Sequence, residues 1–114
     1  MNQNKAMLKG YNAGVLCAKL LMGTLSRREP EACCRYLAQK LLDEFHTTTP
    51  REFLKRLPGL YEALAVPVPS VLEHYCQHRR SKAGMMFVIT FALHLSDWQR
   101  GVLSEEEKEV KNHE

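Results

Sequence analysis

An all-α fold, a compact bundle of about five helices, follows from three features of the 114-residue sequence. The longest apolar run, Gly84 to Leu95, is interrupted only by Thr90 and His94 and keeps its character to Trp98 and Val102, longer than most strands. Elsewhere apolar residues recur at three- and four-residue steps, the period of one helix face. No segment sustains the alternation of a half-buried strand, and no Asn-Gly or Asp-Gly pair offers a hairpin turn. A helix apolar round most of its circumference belongs inside a bundle, so the other segments are expected to be amphipathic helices that cover it.

Met7, Leu8, Tyr11, Val15, Ala18, Leu21, Met22 and Leu25 mark the first of these, from about Gln3 to Leu25. Gly10 and Gly14 weaken it by up to ~1 kcal/mol each relative to Ala. They lie one turn apart, which fits either close approach of a second backbone or plain flexibility. Ser26 to Pro30 breaks the pattern, and Pro30 suits the start of the next helix. Cys34, Leu37, Ala38, Leu41, Leu42 and Phe45 form a second stripe, from Glu31 to His46. The cluster Thr47-Thr48-Thr49-Pro50 ends it and starts a third helix, with Thr49 as N-cap, Pro50 at the first helical position and Glu52 at the third.

That third helix is expected to be short. Phe53, Leu54 and Leu57 face inward, and Pro58-Gly59 then interrupts, with one or two further turns over Leu60, Tyr61 and Leu64. Val66 to Ser70 is extended, because each Pro restricts the residue before it. Ser70 to His78 reads as a fourth helix on Val71, Leu72 and Tyr75. Arg79 to Lys82 joins it to the central run, which Ser81 caps and Gly101 ends. Residues 1–103 are expected to be the helical domain. Residues 104–114 repeat a capping-box pattern, Ser104 to Glu107, but carry one apolar residue, Val110, and are expected to be a frayed or disordered acidic tail.

Composition excludes several classes. The hydrophobic share of 45% and charged share of 25% are those of a globular domain. The apolar run is shorter than the roughly 20 residues needed to cross a bilayer. No charged stretch leads into an apolar one at the N-terminus, so a cytoplasmic location is expected. Cys17, Cys33, Cys34 and Cys76 are then free thiols of a reducing compartment. No Ser, His and acid stand in a recognisable catalytic motif, and no Gly-rich phosphate loop or cofactor motif occurs, so the expectation is a non-enzyme without cofactors. His74 and His78 are spaced to hold a metal, but no third ligand follows at a suitable distance. Exposed histidines at a helix C-terminus account for them better. His94 reads as a hydrogen-bonded core histidine.

The basic residues are the more informative. Residues 1–103 carry 14 Lys/Arg against 8 Asp/Glu, while residues 104–114 carry two Lys against five Glu. Three basic clusters sit at helix ends or breaks: Arg27 and Arg28; Arg51 and Lys55; and Arg79, Arg80 and Lys82. Arg56 follows Glu52 at four residues and is expected to be neutralised by it. Arg51, Lys55, Arg79, Arg80 and Lys82 are the candidate contacts to nucleic-acid phosphates, which fix position without reading sequence. The central helix is also more apolar than a five-helix bundle can cover. Met86 and Trp98 are therefore candidates for a surface shared with a partner protein or a second copy.

Three segments carry a resemblance. Tyr11-Asn-Ala-Gly-Val-Leu-Cys-Ala-Lys-Leu20 is similar to the helix that opens the C-terminal domain of the type I-C CRISPR Cascade large subunit. Thr47-Thr-Thr-Pro-Arg-Glu-Phe-Leu-Lys-Arg-Leu-Pro-Gly-Leu60 resembles that domain's Thr-Thr-Pro-x-x-Phe-x-x-Leu segment. Phe87-Val-Ile-Thr-Phe-Ala-Leu-His-Leu-Ser-Asp-Trp-Gln-Arg100 resembles its last helix. The likeness spans most of residues 11–100. It implies a small, non-catalytic helical subunit of the effector complex that packs against neighbouring subunits. It further implies contacts to crRNA, target or displaced DNA through phosphates, stabilising the R-loop. A different class stays open beside it, a helical protein–protein adaptor of a secretion system, phage or regulatory pathway that binds no nucleic acid.

Overall fold

Five helices account for most of residues 2–101, which the computed structural model describes: α1 (Asn2–Arg28), α2 (Glu31–Thr47), α3 (Pro50–Ala63), α4 (Ser70–Gln77) and α5 (Lys82–Gln99). The expected acidic tail, and with it the Ser104–Glu107 capping pattern, lies outside the described residues. No helix among those described is long and apolar enough to cross a membrane.

The all-α expectation holds, and α5 is the element around which the rest is arranged. It packs most extensively on α1, and α2, α3 and α4 close its other sides. A Cβ at Gly10 would overlap the carbonyl oxygen of Ala83, and one at Gly14 would lie 2.5 Å from that of Phe87. Both partners advance by four residues, so the two helices run parallel. The two glycines are where their backbones meet. Close approach, rather than flexibility, is therefore the reason for this pair.

Phe87 and Phe91 carry the core outward from α5. Tyr75 of α4 stacks on Phe87 with centroids 4.8 Å apart, and Phe53 and Tyr61 of α3 each lie 6.5 Å from Phe91. Phe45 of α2 meets Phe53 edge-on at 5.3 Å, an orientation that the ring quadrupoles favour. The four cysteines are free thiols. Cys17 is fully buried, and burial pushes its thiol up to about 11. Its carbonyl accepts the Tyr61 hydroxyl at 3.4 Å, and burial, with Cys17 adding to it, raises that phenol above its ordinary range.

One expectation about α3 is corrected. The helix does not break at Pro58-Gly59 but runs unbroken to Ala63. Leu57 and Tyr61, one turn apart across the proline, are both fully buried. Their shared anchoring outweighs the missing N–H of Pro58, whose cost is about 3 kcal/mol in an unconstrained helix. Beyond Leu64 the chain turns through Ala65 at a φ of +56°. Arg28 donates to the carbonyls of Leu64 and Ala65 at 2.8 and 3.1 Å, satisfying acceptors that the helix end exposes.

The ends of α5 follow the sequence. The Ser81 hydroxyl accepts from the Gly84 N–H at 3.0 Å, and Gly101, at a φ of +89°, turns the chain after the last turn. Its circumference is covered only in part. Gly84, Phe87, Val88, Thr90, Phe91, Ala92 and Leu95 are buried, but Ile89 and Leu93 face solvent. Met86 and Trp98 are both half-buried, and Trp98 packs against the core.

Candidate nucleic-acid interface

The site begins at the N-terminus of α3. The Thr49 hydroxyl accepts from the Glu52 N–H at 3.2 Å, so the cap is made and the helix starts at Pro50. Arg51 and Lys55 then fall one turn apart on its solvent face, both exposed. This end of the helix also carries the positive pole of its dipole, which favours anions.

Arg79 and Arg80 reach the same place from the α4–α5 turn, and packing explains how. Gly84, in the first turn of α5, is buried, and a Cβ there would lie 2.5 Å from the His78 carbonyl oxygen and 3.1 Å from the Arg79 Cα. The turn thus seats directly on the α5 backbone. The Ser81 hydroxyl donates to the His78 carbonyl at 2.7 Å, closing it. Arg79 is half-buried and donates to the Cys76 carbonyl at 2.9 Å, which fixes its stem. Cys76 in turn sets its sulfur 3.9 Å from the Lys55 carbonyl, a long, weak contact between α4 and the second turn of α3.

The outcome is a concavity of about 320 Å³ lined by Thr49, Arg51, Glu52, Lys55, Arg79 and Arg80. A second hollow of about 360 Å³, lined by residues 77–81, adjoins it through Arg79 and Arg80. Two clusters about 25 residues apart in the sequence therefore form one surface. Lys82, exposed on the first turn of α5, lines neither hollow.

No carboxylate among the described residues pairs with a cation of this surface. Among the described residues the ion pairs are formed by Arg35, Arg56 and Arg100, not by any of the five candidate cations. Glu52 is, among the described residues, the one acid in the lining, and its carboxylate faces Arg56 at 3.4 Å. Arg56 is neutralised as expected, and twice over, since Glu44 lies 3.4 Å from it as well.

The third cluster does not join. Arg28 is occupied at the C-terminal end of α3, about 20 Å along the helix axis from the end that bears Arg51. Thr49, His78 and Ser81 line the hollows without having been singled out by the sequence as anion contacts. Only the Thr49 and Ser81 caps could have pointed to them. His74 and His78 are exposed, with rings stacked at 4.4 Å and the His78 Nδ1 2.8 Å from the His74 carbonyl. Among the described residues no three His, Cys, Asp or Glu gather closely enough to hold a metal ion.

No family model, curated protein or solved structure matches the chain.

Proposed function

We propose that the protein is a non-catalytic, small helical subunit of a CRISPR RNA-guided effector complex, holding crRNA, target or displaced strand by its phosphates. The observation that carries the phosphate-binding part is the shared concavity of Arg51, Lys55, Arg79 and Arg80, in which no cation has an acidic partner among the described residues. Unopposed cations beside a helix N-terminus attract a polyanion, and a surface built of such groups offers nothing that distinguishes one base from another. The effector-complex part rests on the resemblance of residues 11–20, 47–60 and 87–100.

Binding of unrelated single-stranded DNA and RNA at several salt concentrations tests the first part. With four phosphate contacts, the logarithm of affinity should fall with that of salt at a slope of roughly −3, about −0.7 for each contact on a single strand. The combined Arg51→Ala, Lys55→Ala, Arg79→Ala and Arg80→Ala variant should flatten that slope, and Arg56→Ala should leave it unchanged. If the fourfold variant binds as wild type does, the site is wrong. The second part predicts effector-subunit genes and a CRISPR array beside this gene, and co-assembly on guide RNA.

A second reading has an observation of its own. The exposed Ile89 and Leu93 on the most apolar helix suit an adaptor that binds a protein partner. Absence of single-strand binding even at low salt would favour it.

A further inference from the structure

We infer that α5 pairs with α5 of a second copy of this chain, antiparallel about a two-fold axis beside Ile89. Its solvent face reads Lys82, Met86, Ile89, Leu93, Asp97, at steps of three and four residues that keep all five on one stripe. Leu93 is 63% exposed, more than any other large hydrophobic residue described, although it sits mid-way along the most apolar helix. The α1 seam does not use this face, because it runs over Ala83, Phe87 and Thr90.

The stripe is its own complement when reversed. Met86 and Leu93 are equidistant from the point between Ile89 and Thr90, and so are Lys82 and Asp97. In an antiparallel pair each Met86 therefore meets the other copy's Leu93, the two Ile89 side chains meet near the axis, and Lys82 faces Asp97 at both ends. That is the self-complementarity an isologous interface requires. Asp97 already accepts from Arg100 at 2.6 Å, but its second oxygen remains able to accept from an ammonium group.

Charge selects the direction. Arg79, Arg80 and Lys82 crowd the N-terminal end of α5. Asp97 lies in its last turn. Antiparallel pairing brings the basic end of each copy to the end that carries the other's Asp97. Parallel pairing would set basic ends together. The apolar stripe of the pair, Met86, Ile89 and Leu93, lies outside the concavity that carries the nucleic-acid reading.

Sedimentation of the purified chain at micromolar concentration tests the pairing, and a dimer that weakens with salt is expected. Leu93→Lys, at a position too exposed to disturb the core, should give a folded monomer by circular dichroism and sedimentation. Ile89→Cys should cross-link into a dimer under mild oxidation, where wild type does not. Lys82→Glu and Asp97→Lys should each weaken the dimer several-fold, and their combination should recover most of the loss. A wild type that stays monomeric, a dimer indifferent to Leu93→Lys, or a charge swap no better than its parts overturns the proposal.

Discussion

Alanine in place of glycine should have opposite consequences at Gly14 and Gly59, because only one of them faces a backbone. Within a helix, Ala is favoured over Gly by up to about 1 kcal/mol. At Gly59, in the second half of α3, a Cβ would meet nothing within 4 Å. Gly59→Ala should therefore stabilise by about 0.5–1 kcal/mol. At Gly14 the same atom would lie 2.5 Å from the Phe87 carbonyl oxygen, 3.0 Å from the Thr90 Cβ and 3.1 Å from the Phe91 nitrogen. These are atoms of α5, which cannot step aside singly, so the whole seam must open by about 1 Å to restore ordinary contact. Overpacking of this kind costs about 1–3 kcal/mol and sometimes more. It exceeds the propensity gain, and the net change should be a loss of about 1–2 kcal/mol. For a domain of this size that is a fall in melting temperature of roughly 4–16 °C. Urea denaturation followed by far-ultraviolet circular dichroism measures both variants on one scale. If Gly14→Ala is as stable as wild type, or the two variants shift together, the parallel close-packed seam is not what makes Gly14 necessary.

Three further outcomes follow from single groups. Thr49→Ala removes the cap at the N-terminus of α3 and should cost about 1 kcal/mol in the same urea assay, while blurring the position of Arg51 and Lys55 without removing a charge. Arg28→Ala frees the carbonyls of Leu64 and Ala65, and amide exchange at residues 64–66 should accelerate while the N-terminal half of α3 stays protected. Stability should also fall in alkali. The folded Cys17 holds its proton to about 11 while the unfolded thiol releases it near 9.0, so its contribution is complete below pH 9 and declines as pH rises to 11. About 2 kcal/mol should be lost by pH 11, with Tyr61 steepening the fall above its ordinary 10.0. Cys17→Ala should flatten the dependence between pH 9 and 10, and an unchanged slope there would refute the assignment to this thiol.

Local chemistry was legible wherever a residue acts on its own neighbourhood. Thr49 and Ser81 cap, Gly101 terminates, and the apolar periods locate five helices, because each effect is settled within a turn or two of chain. Pro58 shows the limit of that reading. Its local preference is to break the helix, but Leu57 and Tyr61 reach a shared core from either side of it, and burial outweighs a lost hydrogen bond. Sequence alone leaves the pair Gly10 and Gly14 open for the same reason, since the atoms that require glycine belong to a helix some seventy residues away.

The candidate site divides along the same line. The sequence by itself determined the residue types, their place at helix ends, and the local cancellation of Arg56 by Glu52, a contact between neighbouring turns of one helix. Only the tertiary structure decided that Arg51 and Lys55 meet Arg79 and Arg80, whereas Arg28 is committed to the far end of α3. That choice depends on Gly84 admitting the His78 carbonyl and on Cys76 reaching α3. Likewise, the sequence made α5 apolar, but its packing partners decided which face stays uncovered. Four helices cover the sides that carry Phe87, Phe91 and Leu95, and the geometry of a bundle this small leaves Ile89 and Leu93 outside the chain's own core.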